Sequence, residues 1–171
     1  MDVVAHGLWG GAIFGRGSRW KWRWAFVLGM APDLVSFGPF LISQWINPVA
    51  MDFPAYVHQT YNVTHSFLVW AMITSAVWSL RKAFPWVLGA WSLHILCDIP
   101  LHEISFFPTP YLWPAPTPLI DGIRWAQPRI LIPNYIGLAI TYAAMIGLQH
   151  RRRAAKMARE AGSDTTLRAS N

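Results

Sequence analysis

The chain has 171 residues, of which 54% are hydrophobic and only 13% are charged, against roughly 25% charged in an ordinary soluble domain. Its 11 Trp and 9 Phe exclude a disordered chain, which needs low hydrophobicity. The single cysteine, Cys97, excludes a disulfide within the chain and argues against a cysteine-based zinc site. The composition therefore predicts a membrane protein whose first partner is the lipid bilayer.

Five apolar runs predict an all-α fold, a polytopic membrane helical bundle with about four to five membrane-embedded helices. In chain order the runs are 3–15, 24–46, 67–80, 86–101 and 130–148. Only the second and the last reach the roughly 20 residues that a helix needs to cross a hydrocarbon core. We expect a single membrane-embedded domain over 1–150, which carries the candidate site, and a basic, flexible cytoplasmic tail over 151–171.

The net charge of +6 lies in clusters that flank the apolar runs, at 16–23, at 81–82 and at 151–159. This pattern is typical of cytoplasmic loops, so we expect no nucleic-acid partner. If all five runs cross, twelve basic residues share one side with the C-terminus, and Arg124 and Arg129 lie on the other. We therefore predict a multi-pass protein of the cytoplasmic (inner) membrane, with a cytoplasmic C-terminus and outer loops at 47–64 and 105–127.

Ionisable residues inside apolar runs indicate function, because an Asp at a membrane helix centre costs at least about 2.5–3.5 kcal/mol. His94, Asp98 and His102 follow an i, i+4, i+8 spacing that places them on one face of a continuous helix. Pro100 should bend or end that helix, so His94 and Asp98 form the firmer pair. His102 then reaches the same ion from the end of the helix or binds a second ion.

The other ionisable residues of the runs are expected at the same place. Asp33 follows Pro32, which we expect to interrupt its helix and free backbone groups nearby. Thr64 is a plausible N-cap, which puts His65 at the start of the third helix. Each of these residues alone fits a packed, hydrogen-bonded structural role, but as a set they predict a divalent metal site for Zn²⁺, Mn²⁺ or Fe²⁺. The candidate metal ligands are His6, Asp33, His65, His94, Asp98 and His102.

An ordered series of motifs over about residues 3–120 resembles the membrane-bound metal-dependent hydrolase family (YdjM-like). The series is His6-Gly, Ala31-Pro-Asp-Leu, Thr64-His-Ser, His94-Ile-Leu-Cys-Asp and Asp98-Ile-Pro-Leu-His, followed by Phe106-Phe-Pro-Thr-Pro-Tyr-Leu-Trp-Pro. The resemblance implies a helical inner-membrane hydrolase, similar to the zinc-dependent phospholipase C and single-strand nuclease superfamily, whose members hold zinc with His and Asp and cleave phosphoesters. It also implies five metal ligands: His6, Asp33, His65, His94 and Asp98.

The leading hypothesis is a hydrolase that cleaves a phosphoester or other membrane-associated ester at the outer face, with a metal-activated water and Asp33 or Asp98 as catalytic base. A metal-ion or proton transporter is the first alternative, since intramembrane His and Asp also mark ion pathways. A non-catalytic metal-binding scaffold is the second. Clustering of the residues at one face favours the enzyme, and a polar chain across the whole membrane would favour transport.

Overall fold

The computed structural model describes residues 1–46 and 53–169, and every regular element among them is helical. The helices are α1 (Val3–Phe14), α2 (Arg19–Ile46), α3 (Ala55–Thr64), α4 (Phe67–Arg81), α5 (Gly89–Asp98) and α6 (Pro128–Ala169). Two 3-10 turns, Trp86–Leu88 and Ile99–Leu101, flank α5. The predicted all-α fold is confirmed, and each of the five apolar runs corresponds to a helix.

Helix α3 departs from the predicted outer loop 47–64, of which residues 47–52 lie outside the described residues. His58, Gln59 and Thr60 occupy exposed or half-buried positions, so the segment forms no apolar run in the sequence. Its buried residues, Val57 and Tyr61, pack with Phe40 and Phe107 in an aromatic cluster. Packing against residues distant in sequence therefore stabilises this helix.

The chain divides into two compact units, Met1–Asn134 and Tyr135–Asn171. The first contains α1 to α5 and all the candidate metal ligands, and the second contains the greater part of α6. Helix α6 continues to Ala169 through most of the segment predicted as a flexible tail, and residues 170 and 171 lie outside the described residues.

Two helices are long and apolar enough to cross a membrane, namely α2 and the Pro128–Met157 part of α6. They correspond to the two runs that reach spanning length in the sequence. A third crossing results if α3 and α4, which meet at 56°, form one bent span. Helices α1 and α5 have 12 and 10 residues, so the side on which each loop lies stays a prediction from the basic residues.

Small residues bring α1 close to α2 and α5. A Cβ atom placed on Gly10 would lie 2.7 Å from the carbonyl oxygen of Ala25 in α2 and 2.9 Å from the Cβ of Ala90 in α5. A Cβ on Gly29 of α2 would lie 2.6 Å from the carbonyl oxygen of His6. Membrane helices associate through such close backbone contact, which here places His6 beside the two helices that carry Asp33 and Asp98.

Helix α2 passes through Pro32 without a break, so the expectation that this proline interrupts the helix is wrong. Hydroxyl groups from two helices converge on the Pro32 carbonyl. Ser36 Oγ donates to it at 2.7 Å and Thr64 Oγ1 at 3.3 Å. Such side-chain bonds, together with neighbouring helices, make proline tolerable within membrane helices.

The segment 102–127, all of which the structure describes, contains turns and no helix, as its prolines predict. It is tied to the residues around the candidate site by backbone hydrogen bonds. The Phe67 amide donates to the Tyr111 carbonyl at 2.8 Å, and the Ile123 amide donates to the Pro100 carbonyl at 2.8 Å. The loop therefore covers the start of α4 and the residues that follow α5.

We predict that Gly10→Ala destabilises the protein by roughly 1–3 kcal/mol, because the added methyl group overpacks the contact of α1 with α2 and α5. Gly38→Ala in α2 is the matched control, since no described atom lies within 4 Å of a Cβ placed there. The control should leave stability unchanged or raise it slightly, as Ala favours a helix over Gly. Thermal melting in detergent measures both, and equal melting temperatures would contradict the packing described for Gly10.

Candidate metal centre

Four buried side chains each bring one donor atom to within 4.8 Å of the others: Asp33, His65, His94 and Asp98. We call them the metal cluster. They come from α2, from the junction between α3 and α4, and from α5. His65 and Asp98 are fully buried, and Asp33, the least buried of the four, is 6% exposed.

Five of the six distances within the metal cluster lie close to the edges of a coordination tetrahedron, and the sixth, between the two carboxylate oxygens, is at most 4.8 Å. The Nε2 atoms of His65 and His94 lie 3.0 Å apart. Asp98 Oδ2 lies 3.5 Å and 3.2 Å from these nitrogens, and Asp33 Oδ1 lies 3.6 Å from each. Zinc bonds to nitrogen and oxygen of about 2.0–2.1 Å separate tetrahedral ligand atoms by roughly 3.3 Å. The cluster can therefore hold one metal ion.

Both imidazoles are oriented by hydrogen bonds from their outer nitrogens. His94 Nδ1 lies 2.7 Å from the Gly29 carbonyl oxygen, and His65 Nδ1 lies 3.1 Å from the Tyr61 carbonyl oxygen. A carbonyl oxygen only accepts, so each Nδ1 donates and each Nε2 presents its lone pair to the cluster. Metal-binding histidines use the same kind of outer hydrogen bond to fix their tautomer.

Asp98 carries the strongest indication that the cluster binds a cation. Its Oδ2 atom is buried and forms no hydrogen bond among the described residues, although such atoms normally have a partner. Asp98 and Asp33 together place two carboxylates in an apolar interior, where unpaired charge is costly. The Met1 amine, 2.6 Å from Asp98 Oδ1, offsets only part of that charge.

A proton shared by His65 and His94 is the alternative to a metal ion, because 3.0 Å between nitrogens is a normal hydrogen-bond distance. That proton would link the two rings but would leave Asp98 Oδ2 without a donor. A divalent cation would instead contact the donor atoms of the cluster and neutralise both carboxylates. The buried Asp98 Oδ2 atom, which has no hydrogen-bond partner among the described residues, therefore favours a metal ion.

His6 and His102, the other two predicted ligands, approach the opposite oxygen of Asp98. His6 Nε2 lies 2.9 Å from Asp98 Oδ1, and the His6 ring stacks on His94 with centroids 3.6 Å apart. His102 Nε2 lies 3.9 Å from the same oxygen. The structure thus brings four predicted ligands into one group and sets the remaining two beside it, where their role as ligands stays a prediction.

His102 reaches this position because α5 ends at Asp98, and the turn Ile99–Leu101 redirects the chain. Pro100 therefore ends the helix as the sequence predicts, and His102 lies off the face that His94 and Asp98 share. Its Nδ1 lies 2.8 Å from the Tyr61 hydroxyl. Burial lowers the pKa of the His102 imidazole, which favours the neutral ring.

His65 lies between two helices, where the predicted cap is wrong by two residues. Thr64 is the last residue of α3, and Ser66 caps α4 by accepting from the Leu68 and Val69 amides. The break turns the chain by 56°. His65 at this bend points its ring toward α2 and α5.

Two contacts that sequence reasoning missed are backbone carbonyls, those of Gly29 and Tyr61. They orient His94 and His65. The type of a residue says little about where its backbone carbonyl lies in the fold, so these contacts are hard to predict from the sequence. The sequence feature that could have indicated the contact with the Tyr61 carbonyl is the position of Tyr61, four residues before His65 at the end of a helix. Gly29 is marked by its small size, which permits the contact with α1.

The sequence matches no protein-family model and no curated protein, and no solved structure matches the chain.

We predict that His94→Ala and Asp98→Ala each lower zinc affinity by more than the roughly 10–100-fold typical of losing an outer hydrogen-bond partner. The protein should still insert and remain helical, because its packing lies largely outside the cluster. His58→Ala and His150→Ala are the matched controls, since both side chains are exposed. Metal content of detergent-purified variants, with helicity by circular dichroism, measures the effect. Equal metal content in His94→Ala and His58→Ala would contradict the assigned site.

Proposed function

We propose that this protein is a metal-dependent hydrolase of the cytoplasmic membrane that cleaves a phosphoester or another membrane-associated ester. The observation that carries the proposal is the metal cluster, with two imidazoles and two carboxylates at ligand spacing. This donor set suits Zn²⁺ first, with Mn²⁺ and Fe²⁺ as alternatives. The reaction class rests on this chemistry and on the resemblance of the motif series to membrane-bound metal-dependent hydrolases.

The surroundings of Asp98 support a hydrolytic centre over a simple structural site. Its Oδ2 atom faces His65 and His94, and its Oδ1 atom faces His6 and His102. A carboxylate with imidazoles beside both oxygens would suit a site for two ions, the kind of site found in phosphatases and nucleases. A single structural ion needs only four ligands, so the two additional histidines favour catalysis.

The residues of the metal cluster have different roles in the proposed reaction. His65, His94 and Asp98 would hold the ion, with the two imidazole rings fixed by the Tyr61 and Gly29 carbonyls, and the fourth position would be open to water. Asp33, the least buried member, is our choice for the carboxylate that would accept the proton of the attacking water. A bound divalent ion supplies two things, a water acidic enough to ionise near neutral pH and a positive charge that polarises the phosphoryl oxygen.

The depth of the metal cluster supports a membrane-associated substrate. Asp33 lies nine residues beyond Trp24, where the apolar run 24–46 begins, which is roughly 14 Å along a helix axis. In a hydrocarbon core of about 30 Å, that depth is near the middle of the membrane. A phospholipid ester reaches that depth more readily than a fully soluble phosphoester.

Burial of the cluster supports a second candidate, a non-catalytic metal-binding scaffold. All four donors are protein side chains and all are buried, which is typical of structural zinc sites. In that case the ion joins α2, the α3–α4 junction and α5, and contributes to folding stability without turnover.

We predict that the zinc-loaded protein hydrolyses an activated phosphodiester or a phospholipid headgroup ester, and that Asp33→Asn slows turnover by roughly 10²–10⁴-fold, the usual contribution of a general base. His58→Ala should retain full activity. Chromogenic phosphodiester cleavage and headgroup release from mixed micelles measure the rate, and metal content is recorded in parallel. If chelation lowers the melting temperature but neither substrate is cleaved, the scaffold replaces the hydrolase.

A further inference from the structure

A basic cavity lies at the opposite end of α2 from the aromatic cluster of Phe40, Val57, Tyr61 and Phe107. It has a volume of about 470 Å³ and is bounded by the end of α1, the start of α2, the end of α4 and the turn before α5. That volume lies within the usual range for small-ligand pockets. Three basic side chains line it: Arg16, Lys21 and Arg81.

The positive charge of this cavity is not compensated by nearby acids. The sequence contains no Asp or Glu between residues 3 and 32 or between 53 and 97, and these stretches supply the whole lining. No ion pair involves Arg16, Lys21 or Arg81 in the part of the chain that the structure describes. Three cations around one cavity favour an anionic ligand.

Exposed tryptophans around the same cavity indicate that the ligand is a lipid. Trp20, Trp24 and Trp86 line it and are 64%, 45% and 69% exposed. Tryptophan at the end of a membrane span lies at headgroup level, and α2 begins at Arg19. The basic groups can therefore meet a headgroup phosphate while the indoles contact the glycerol and upper acyl chains.

We propose that this cavity binds the headgroup of an anionic phospholipid. Basic pockets between membrane helices recognise such headgroups, and each Lys or Arg near the surface contributes on the order of a fivefold gain in affinity. The site is separate from the metal cluster, because none of its lining residues is a candidate metal ligand.

The test is native mass spectrometry of the full chain in detergent, titrated with phosphatidylglycerol or with zwitterionic phosphatidylcholine. The wild type should bind one phosphatidylglycerol at least about tenfold more tightly than phosphatidylcholine. The variant Arg16→Gln/Lys21→Gln/Arg81→Gln should lose most of that preference. The matched control Arg151→Gln/Arg152→Gln/Arg153→Gln removes the same charge from exposed positions on α6 and should keep it.

Three outcomes would overturn the proposal. The first is a wild type without preference between the two lipids, and the second is an equal loss in the α6 control, which would make net charge the cause. The third is displacement of phosphatidylglycerol by inorganic phosphate at equal concentration, which would identify a soluble anion as the ligand. If the triple variant is not helical by circular dichroism, Arg81→Gln alone decides, with a roughly fivefold loss expected and unchanged binding contradicting the proposal.

Discussion

Two carboxylates buried among apolar helices impose the main constraint on this structure. Asp33 and Asp98 can remain charged there only if cations or hydrogen-bond donors face them. The surrounding side chains are mostly imidazoles, and His65 and His94 turn lone pairs toward the carboxylates because their outer nitrogens already donate to backbone carbonyls. Imidazoles in this tautomer cannot satisfy Asp98 Oδ2. A divalent cation satisfies the carboxylates and the two lone pairs together.

The helices are arranged so that these groups can meet. Small residues on α1, α2 and α5 let the backbones approach closely, and this brings His6 to Asp98 and the Gly29 carbonyl to His94. The bend between α3 and α4 turns His65 into the same space. The loop 102–127 then closes over this region through backbone hydrogen bonds. Packing, chain direction and site geometry thus depend on the same few contacts.

The sequence predicts most of the helices and the core of the site, since both leave local signals. Apolar runs mark the helices, the i, i+4 spacing places His94 beside Asp98, and Pro100 marks the end of α5. Where the predictions are wrong, the structure depends on contacts between residues that are distant in the sequence. Pro32 is accommodated because hydroxyls of Ser36 and Thr64 converge on its carbonyl. Helix α3 forms through packing with distant aromatic residues. Which histidines face Oδ2 of Asp98 and which face Oδ1 depends on helix packing, which spacing along the chain does not encode.

X-ray absorption spectroscopy of the zinc-loaded, detergent-purified protein reports the ligands around the ion itself. It therefore tests whether the imidazoles and carboxylates of the metal cluster bind that ion. We expect a first shell of about four nitrogen and oxygen atoms near 2.0 Å, with outer scattering from at least two imidazole rings and no sulfur. Asp33→Asn/Asp98→Asn should remove that spectrum. A zinc shell containing the sulfur of Cys97, a six-oxygen shell without imidazole scattering, or a protein that retains no zinc after loading would contradict this expectation.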